Sequence, residues 1–193
     1  MNKLFFFSNN FGKIKEIDSL FVNSGLKIYS LKNFFLNKEP KETGRNFIEN
    51  AKIKSVYGFT KTGIPCFADD SGICIEALKW GPGVHSKRFL NSFKDNGRCF
   101  DYIINLAKER NLFNAYFRTS ISFTIKNNYH VVFEGTVKGK INKRISGKNG
   151  FGFDPIFVPD GSKKTFASMS LIEKNKISHR SIAILKLKSF LIN

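Results

Sequence analysis

Apolar residues recur along this chain in two alternating rhythms, and the alternation predicts the architecture. Residues 3–7 form a short aromatic run closed by the polar Ser8-Asn9-Asn10, which reads as a buried strand and its turn. From 11 to 24 the spacing becomes helical, with Phe11, Ile14, Ile17 and Phe21 on one stripe and Gly25 placed to stop it. Residues 26–31 read as a second strand, and 43–59 as a longer helix in which Phe47, Ala51, Ser55 and Phe59 follow one another at i+4. Segments 64–68 and 73–77 flank an acidic turn, and Gly81-Pro82-Gly83 interrupts the pattern. A helix follows over 100–109. Strict alternation over 115–125 then predicts a strand with one buried face, with 129–141 as its antiparallel neighbour. A short strand at 155–158 and a terminal helix carrying Ile182, Leu185 and Phe190 complete the chain. Interleaved helices and strands of this kind make an α/β fold with a mixed sheet.

Composition narrows the class. The 193 residues carry no repeat or linker and predict one domain over 1–193; 41% hydrophobic and 24% charged residues describe a globular chain, not a disordered one. The longest apolar runs are about four residues, such as Leu4 to Phe7, far short of the roughly 20 that cross a bilayer. The first residues hold one Lys and too short an apolar stretch for a signal peptide, so a cytoplasmic protein with no membrane partner is expected. Cys66, Cys74 and Cys99 are odd in number and lack C-x-x-C spacing, which predicts buried thiols rather than a disulfide or zinc framework. The balance of 32 basic against 15 acidic residues gives +17, a field that attracts polyanions. The charge is dispersed, so it does not choose between nucleic acid, an anionic membrane and phosphorylated small molecules.

Four constellations carry candidate chemistry. Ser8-Asn9-Asn10-Phe11-Gly12-Lys13 feeds a strand into a helix N-terminus, where unpaired N–H groups and the helix dipole favour an anion that Lys13 can reach. The glycines of a Walker loop are absent. Glu42-Thr43-Gly44 sits at the mouth of the next predicted helix, where the dipole favours a carboxylate, and Glu49, Asn50 and Lys54 lie further along. Asp69-Asp70-Ser71-Gly72 places two carboxylates side by side at a strand end. A hard cation such as Mg²⁺, bound through one or two carboxylates and substrate phosphates, relieves that repulsion. Finally, Gly150-Phe151-Gly152-Phe153-Asp154-Pro155 offers an aromatic face and an acceptor. Ser178, as helix cap, aims His179 and Arg180 outward from the first turn.

In order along the chain these segments resemble the inosine triphosphate pyrophosphatase family, whose pattern is T-G-N-x-x-K, E-T-G-x-x-F-x-E-N-A-x-x-K, A-D-D-S-G, P-G-x-x-S-x-R, E-G-x-x-x-G-x-I, G-F-G-Y-D-P-x-F and S-H-R. The matching residues include Lys13, Glu42 to Gly44, Glu49 to Ala51, Lys54, Ala68 to Gly72, Pro82 to Arg88, Glu134-Gly135, Gly150 to Pro155 and Ser178 to Arg180. Asn9 stands in place of the family's Gly, Phe153 in place of Tyr, and His85 where an aromatic residue is usual. The resemblance implies an elongated mixed sheet in two lobes around an active-site cleft, Mg²⁺ dependence and a homodimer. It implies hydrolysis of dITP, ITP and XTP to the monophosphate and pyrophosphate. By resemblance, Glu42 and Asp70 are the metal ligands, with Glu39 as rival to Glu42, and Asp70 is the proton acceptor supported by Asp69 and Lys13. Ser8, Asn9, Asn10, Phe11, Gly12, Lys13 and Lys54 meet the triphosphate. Ser71, Phe151, Gly152, Phe153, Asp154, Lys174, His179 and Arg180 shape the nucleoside pocket. Nucleic-acid binding is expected to be weak and without sequence preference.

Overall fold

The computed structural model describes residues 3–34 and 39–192. Its strands are β1 (Lys3–Phe6), β2 (Lys27–Tyr29), β3 (Cys66–Ile75), β4 (Gly81–Pro82), β5 (Asn114–Lys126), β6 (Tyr129–Ile141) and β7 (Phe157–Pro159). Its helices are α1 (Phe11–Phe21), α2 (Phe47–Thr62), α3 (Ser86–Asn91), α4 (Asn96–Arg110), α5 (Leu171–Asn175) and α6 (His179–Ile192). The sheet order is β2-β1-β3-β5-β6-β7, with β4 on β3. β1 runs parallel to β2 and β3, whereas β3 with β4 and β6 with β7 are antiparallel. The expected α/β fold with a mixed sheet is therefore present.

Contacts divide the chain into two compact units, Met1–Asp70 with Thr119–Gly135 and Arg180–Asn193, and Ser71–Arg118 with Thr136–His179. Strands β3, β5 and β6 each contribute residues to both. In the first unit strand periodicity sorts the core into two layers. Leu4, Phe6, Phe67, Ile121 and Phe123 leave the sheet on the side covered by α1 and α6. Phe5, Phe7, Cys66 and Ala68 leave it on the side where Tyr57 and Phe59 of α2 pack. The second unit has its own core, built on Ile73, Ile75, Ile103, Phe117, Phe157 and Phe166. All three cysteines are buried and unbridged, as their spacing predicted.

Several boundaries differ from the sequence reading. α1 ends at Phe21 because Asn23 already adopts φ 61, ahead of Gly25. Phe11 is 70% exposed, so it opens the helix without joining the buried stripe. α2 begins at Phe47 rather than Thr43: the Asn46 side chain accepts from the Glu49 N–H, and Glu49 Oε2 accepts from the Arg45 N–H, a reciprocal cap that fixes the start. In α6, Leu185 and Phe190 are exposed and Ala183, Ile184 and Leu187 form the inward face.

The largest correction concerns the acidic segment. No turn separates 64–68 from 73–77; Asp69 to Gly72 lie inside the continuous strand β3. Gly72 explains how the strand continues in the second unit. A Cβ at this position would lie 2.5 Å from Ser86 Oγ and overlap the Gly83 carbonyl. Ser86 Oγ accepts from the Ile73 N–H at 2.9 Å and donates to the Gly83 carbonyl at 2.7 Å, clipping the Pro82-Gly83 segment onto β3. Gly72→Ala is accordingly expected to lower unfolding stability by about 1–3 kcal/mol, the usual range for overpacking. Urea denaturation measures it, and a midpoint unchanged from the parent would contradict the clip.

Candidate active site

Successive side chains leave a strand on opposite faces, and this decides the fate of the two aspartates. Asp69 shares the face of Phe67 and meets α1 and α6; Asp70 shares the face of Ala68 and meets α2. Each is buried, and each finds a different partner.

On the first face, Asp69 Oδ2 receives Lys13 Nζ at 3.1 Å and both Nε and Nη2 of Arg180 at 3.0 Å, with the Thr119 hydroxyl at 3.4 Å. Arg180 Nη1 also donates to Glu16, a buried residue one helical turn after Lys13. Burial alone would raise the Asp69 carboxyl, but Lys13, then Arg180 and Lys54, outweigh it and hold it well below the usual range. Asp69 Oδ1 is buried and has no hydrogen-bond partner among the described residues.

On the second face, Lys54 Nζ lies 2.9 Å from Glu42 Oε1 and 3.6 Å from Asp70 Oδ1, so one ammonium serves two carboxylates. Asn50 Nδ2 donates to Asp70 Oδ2 at 3.1 Å, and Asn50 Oδ1 accepts from the Gly44 N–H at 2.8 Å, tying the Glu42 segment to the start of α2. Burial pushes the Asp70 carboxyl up, and Lys54, Lys13 and Asn50 offset this only in part. Glu42 lies in irregular chain ahead of α2, not at the helix mouth, because the cap sits at Asn46. Its rival Glu39 accepts from the Asn9 N–H at 3.2 Å. Among the described residues no three His, Cys, Asp or Glu side chains converge as a metal cage. The carboxylates of Glu42 and Asp70 are hard oxygen donors flanking Lys54, and such a set fits Mg²⁺, which takes its remaining ligands from water and phosphate.

At the start of α1, Asn10 caps the helix by accepting from the Lys13 N–H at 3.0 Å, and Ser8 Oγ accepts from the Asn10 N–H at 3.2 Å. These bonds fix the loop at the helix start, from which Lys13 extends its ammonium to Asp69.

The second unit gathers the remaining candidates. Asp154 Oδ2 accepts from the Phe151 N–H at 2.9 Å and pairs with Lys174 Nζ at 2.5 Å. That ammonium lies 5.0 Å from the centre of the Phe151 ring and 5.3 Å from that of Phe166. Gly150, at φ 73, leaves room that a Cβ would take from the Asp154 carboxylate. Phe153 is buried beside Phe100 at 6.2 Å, and Gly152 adopts φ 60. His179 is buried and stacks on Phe117 at 4.7 Å and 8°. Ser71 continues β3 beyond Asp70. The outward aim expected of His179 and Arg180 is not found: the Arg180 side chain is 1% exposed, because two carboxylates draw its guanidinium inward.

Glu16 and Thr119 escaped the sequence reading. The i+3 spacing of Glu16 from Lys13 placed it on the same helix face and was the available signal. Thr119 lay unmarked within an alternating strand.

The Ham1 family model matches residues 4–190. The chain belongs to the Ham1 family. Among Ham1 relatives, a dITP/XTP pyrophosphatase from Borrelia duttonii is 41% identical over 205 residues, covering 100% of this chain and 98% of that protein. Another from Christiangramia forsetii is 39% identical, with 98% of each chain covered. The solved Ham1 protein of Staphylococcus aureus superposes with a TM-score of 0.84 at 33% identity over 98% of both chains.

The geometry predicts opposite stability effects at adjacent positions. Asp69→Asn strips a buried anion from two buried cations and is expected to lower stability by about 3–5 kcal/mol at pH 7. The loss shrinks at acid pH. A depressed carboxyl contributes fully above about pH 3.9 and loses its contribution as pH falls toward the folded-state value. Asp70→Asn removes a carboxylate that burial disfavours and leaves Lys54 paired with Glu42, so stability is expected to hold or rise. Denaturant unfolding of both variants decides, and equal losses would contradict the division of roles.

Proposed function

We propose that this chain is a nucleoside triphosphate pyrophosphatase, hydrolysing dITP, ITP and XTP to the nucleoside monophosphate and pyrophosphate and so cleansing the nucleotide pool. The observation that carries the reading is the Glu42–Lys54–Asp70 cluster backed by Asp69 and Lys13, in a chain alike over its full length to dITP/XTP pyrophosphatases.

Glu42 and Asp70 would hold the Mg²⁺. When bound, that ion neutralises charge on the triphosphate and its pyrophosphate leaving group. Asp70, whose carboxyl is pushed upward by burial, accepts the proton of the water that attacks the α-phosphorus. Lys13 and Lys54 meet phosphate oxygens, with Ser8, Asn10 and the backbone of Asn9, Phe11 and Gly12 at the helix start. Asp69 holds Lys13 at its station.

Base selection falls to donors and one aromatic face. Phe151 offers a ring to the purine, Asp154 accepts and Lys174 donates, with Ser71, Gly152, Phe153 and His179 shaping the surroundings. Lys174 is a donor with no acceptor capacity; it suits a 6-oxo oxygen and opposes the 6-amino group of adenine. A polar mismatch of this kind yields large discrimination. Arg180 belongs with these donors in the proposal: its Nε, Nη1 and Nη2 each meet Asp69 or Glu16, and the guanidinium carries five N–H groups in all. No described helix is long and apolar enough to cross a membrane. A homodimer acting in the cytoplasm, with no specific nucleic-acid partner, completes the proposal.

Chromatography of the first products formed from ITP with Mg²⁺ tests the chemistry. Inosine monophosphate and pyrophosphate are expected in equal amounts, and the diphosphate as initial product would refute the reading. Asp70→Asn is expected to lower kcat at least 1,000-fold, on the order of 4 kcal/mol of transition-state stabilisation. A folded variant that retains a tenth of the parent rate, about a 1.4 kcal/mol loss, would remove Asp70 from the role of base.

A further inference from the structure

Glu16 has no place in the chemistry above, yet it is 2% exposed, and a carboxylate is buried at such depth only when a cation compensates it. The compensating cation is Arg180, which also grips Asp69. Lys13, Asp69, Arg180 and Glu16 thus form a chain of alternating charge, closed on one side by α1, which supplies both Lys13 and Glu16. Its two cations and two anions cancel. Lys13 is the member that reaches solvent, with a side chain 13% exposed, against 0–3% for the other three.

Packing alone does not account for a carboxylate at Glu16, because an apolar side chain would pack against a sheet at lower desolvation cost. Arg180 makes the carboxylate necessary. Asp69 alone would leave Lys13 and Arg180 with an uncancelled positive charge beside the Glu42–Asp70 pair. We infer that Glu16 is a positioning residue that, through Arg180, keeps the charge behind Lys13 neutral, so that the neighbouring carboxylates retain their hold on a divalent cation and pyrophosphate is not held too tightly to leave. The inference rests on the pyrophosphatase reading. Glu16 is joined to the site through the Arg180 guanidinium.

Glu16→Gln keeps an acceptor for Arg180 Nη1 and removes the charge. At a separation of several ångströms in a partly screened site, one added positive charge is expected to tighten metal-free pyrophosphate binding about 10-fold, read by calorimetry with pyrophosphate as the probe. The Mg²⁺ concentration for half-maximal ITP turnover is expected to rise in the same variant. A merely structural Glu16 would move the unfolding midpoint and neither of these. Glu16→Asp, which restores the charge, is expected to return both readings to parent values. The double variant Glu16→Gln, Arg180→Gln restores neutrality by removing one charge of each sign, and stays informative if the single variant does not fold. Parent-like pyrophosphate affinity is expected of it, whereas weaker binding would show that Arg180 holds the anion directly and overturn the inference. Unchanged pyrophosphate affinity in folded Glu16→Gln overturns it equally. A parent protein that releases no pyrophosphate from ITP would overturn the functional reading instead, and calorimetry would still report the charge effect of Glu16.

Discussion

Two carboxylates at consecutive positions of a buried strand leave it on opposite faces, so here each is bonded directly to its own cations. Each face of β3 must therefore supply its own cations at the level of Asp69 and Asp70. Much of the first unit follows from that demand. α1 and α6 bring Lys13 and Arg180 to one face, and α2 brings Lys54 and Asn50 to the other. The apolar rows below them, Phe67 among the residues under α1 and α6 and Ala68 on the face of α2, set the depth at which those charged groups are held.

The two faces are balanced differently, and the proposed chemistry is placed on that difference. Around Asp69 the charges cancel among buried side chains with fixed partners, which suits a support. Around Asp70, Lys54 lies between two carboxylates, and the proposed Mg²⁺ site rests on that arrangement. Burial disfavours the Asp70 charge while ion pairs stabilise that of Asp69, so neighbouring residues of one type acquire opposite proton affinities.

The elements with strong rhythm were legible from the sequence. The alternation of 115–125 and 129–141 became β5 and β6, and the motifs in order pointed to the family before any geometry was known. Legibility failed where local chemistry was ambiguous. Asp-Asp-Ser-Gly has good turn composition, and only tertiary cations let it remain a strand. Thr43 and Glu42 have the character of a helix start, but the reciprocal bonds of Asn46 and Glu49 placed it four residues later. The residue types of the candidate site were visible, whereas the inward turn of Arg180 and the burial of Glu16 were not. Both depend on an ion pair between residues 164 positions apart, a separation that no local pattern reports.

The division of labour between the two aspartates can be tested by locating the metal. A crystal of the protein grown with Mn²⁺ and pyrophosphate would report the ion by its anomalous scattering. The account predicts a peak ligated by Asp70 and Glu42, with Asp69 still bound to Lys13 and Arg180. A Mn²⁺ ion ligated by Asp69, with its lysine and arginine displaced, would contradict it.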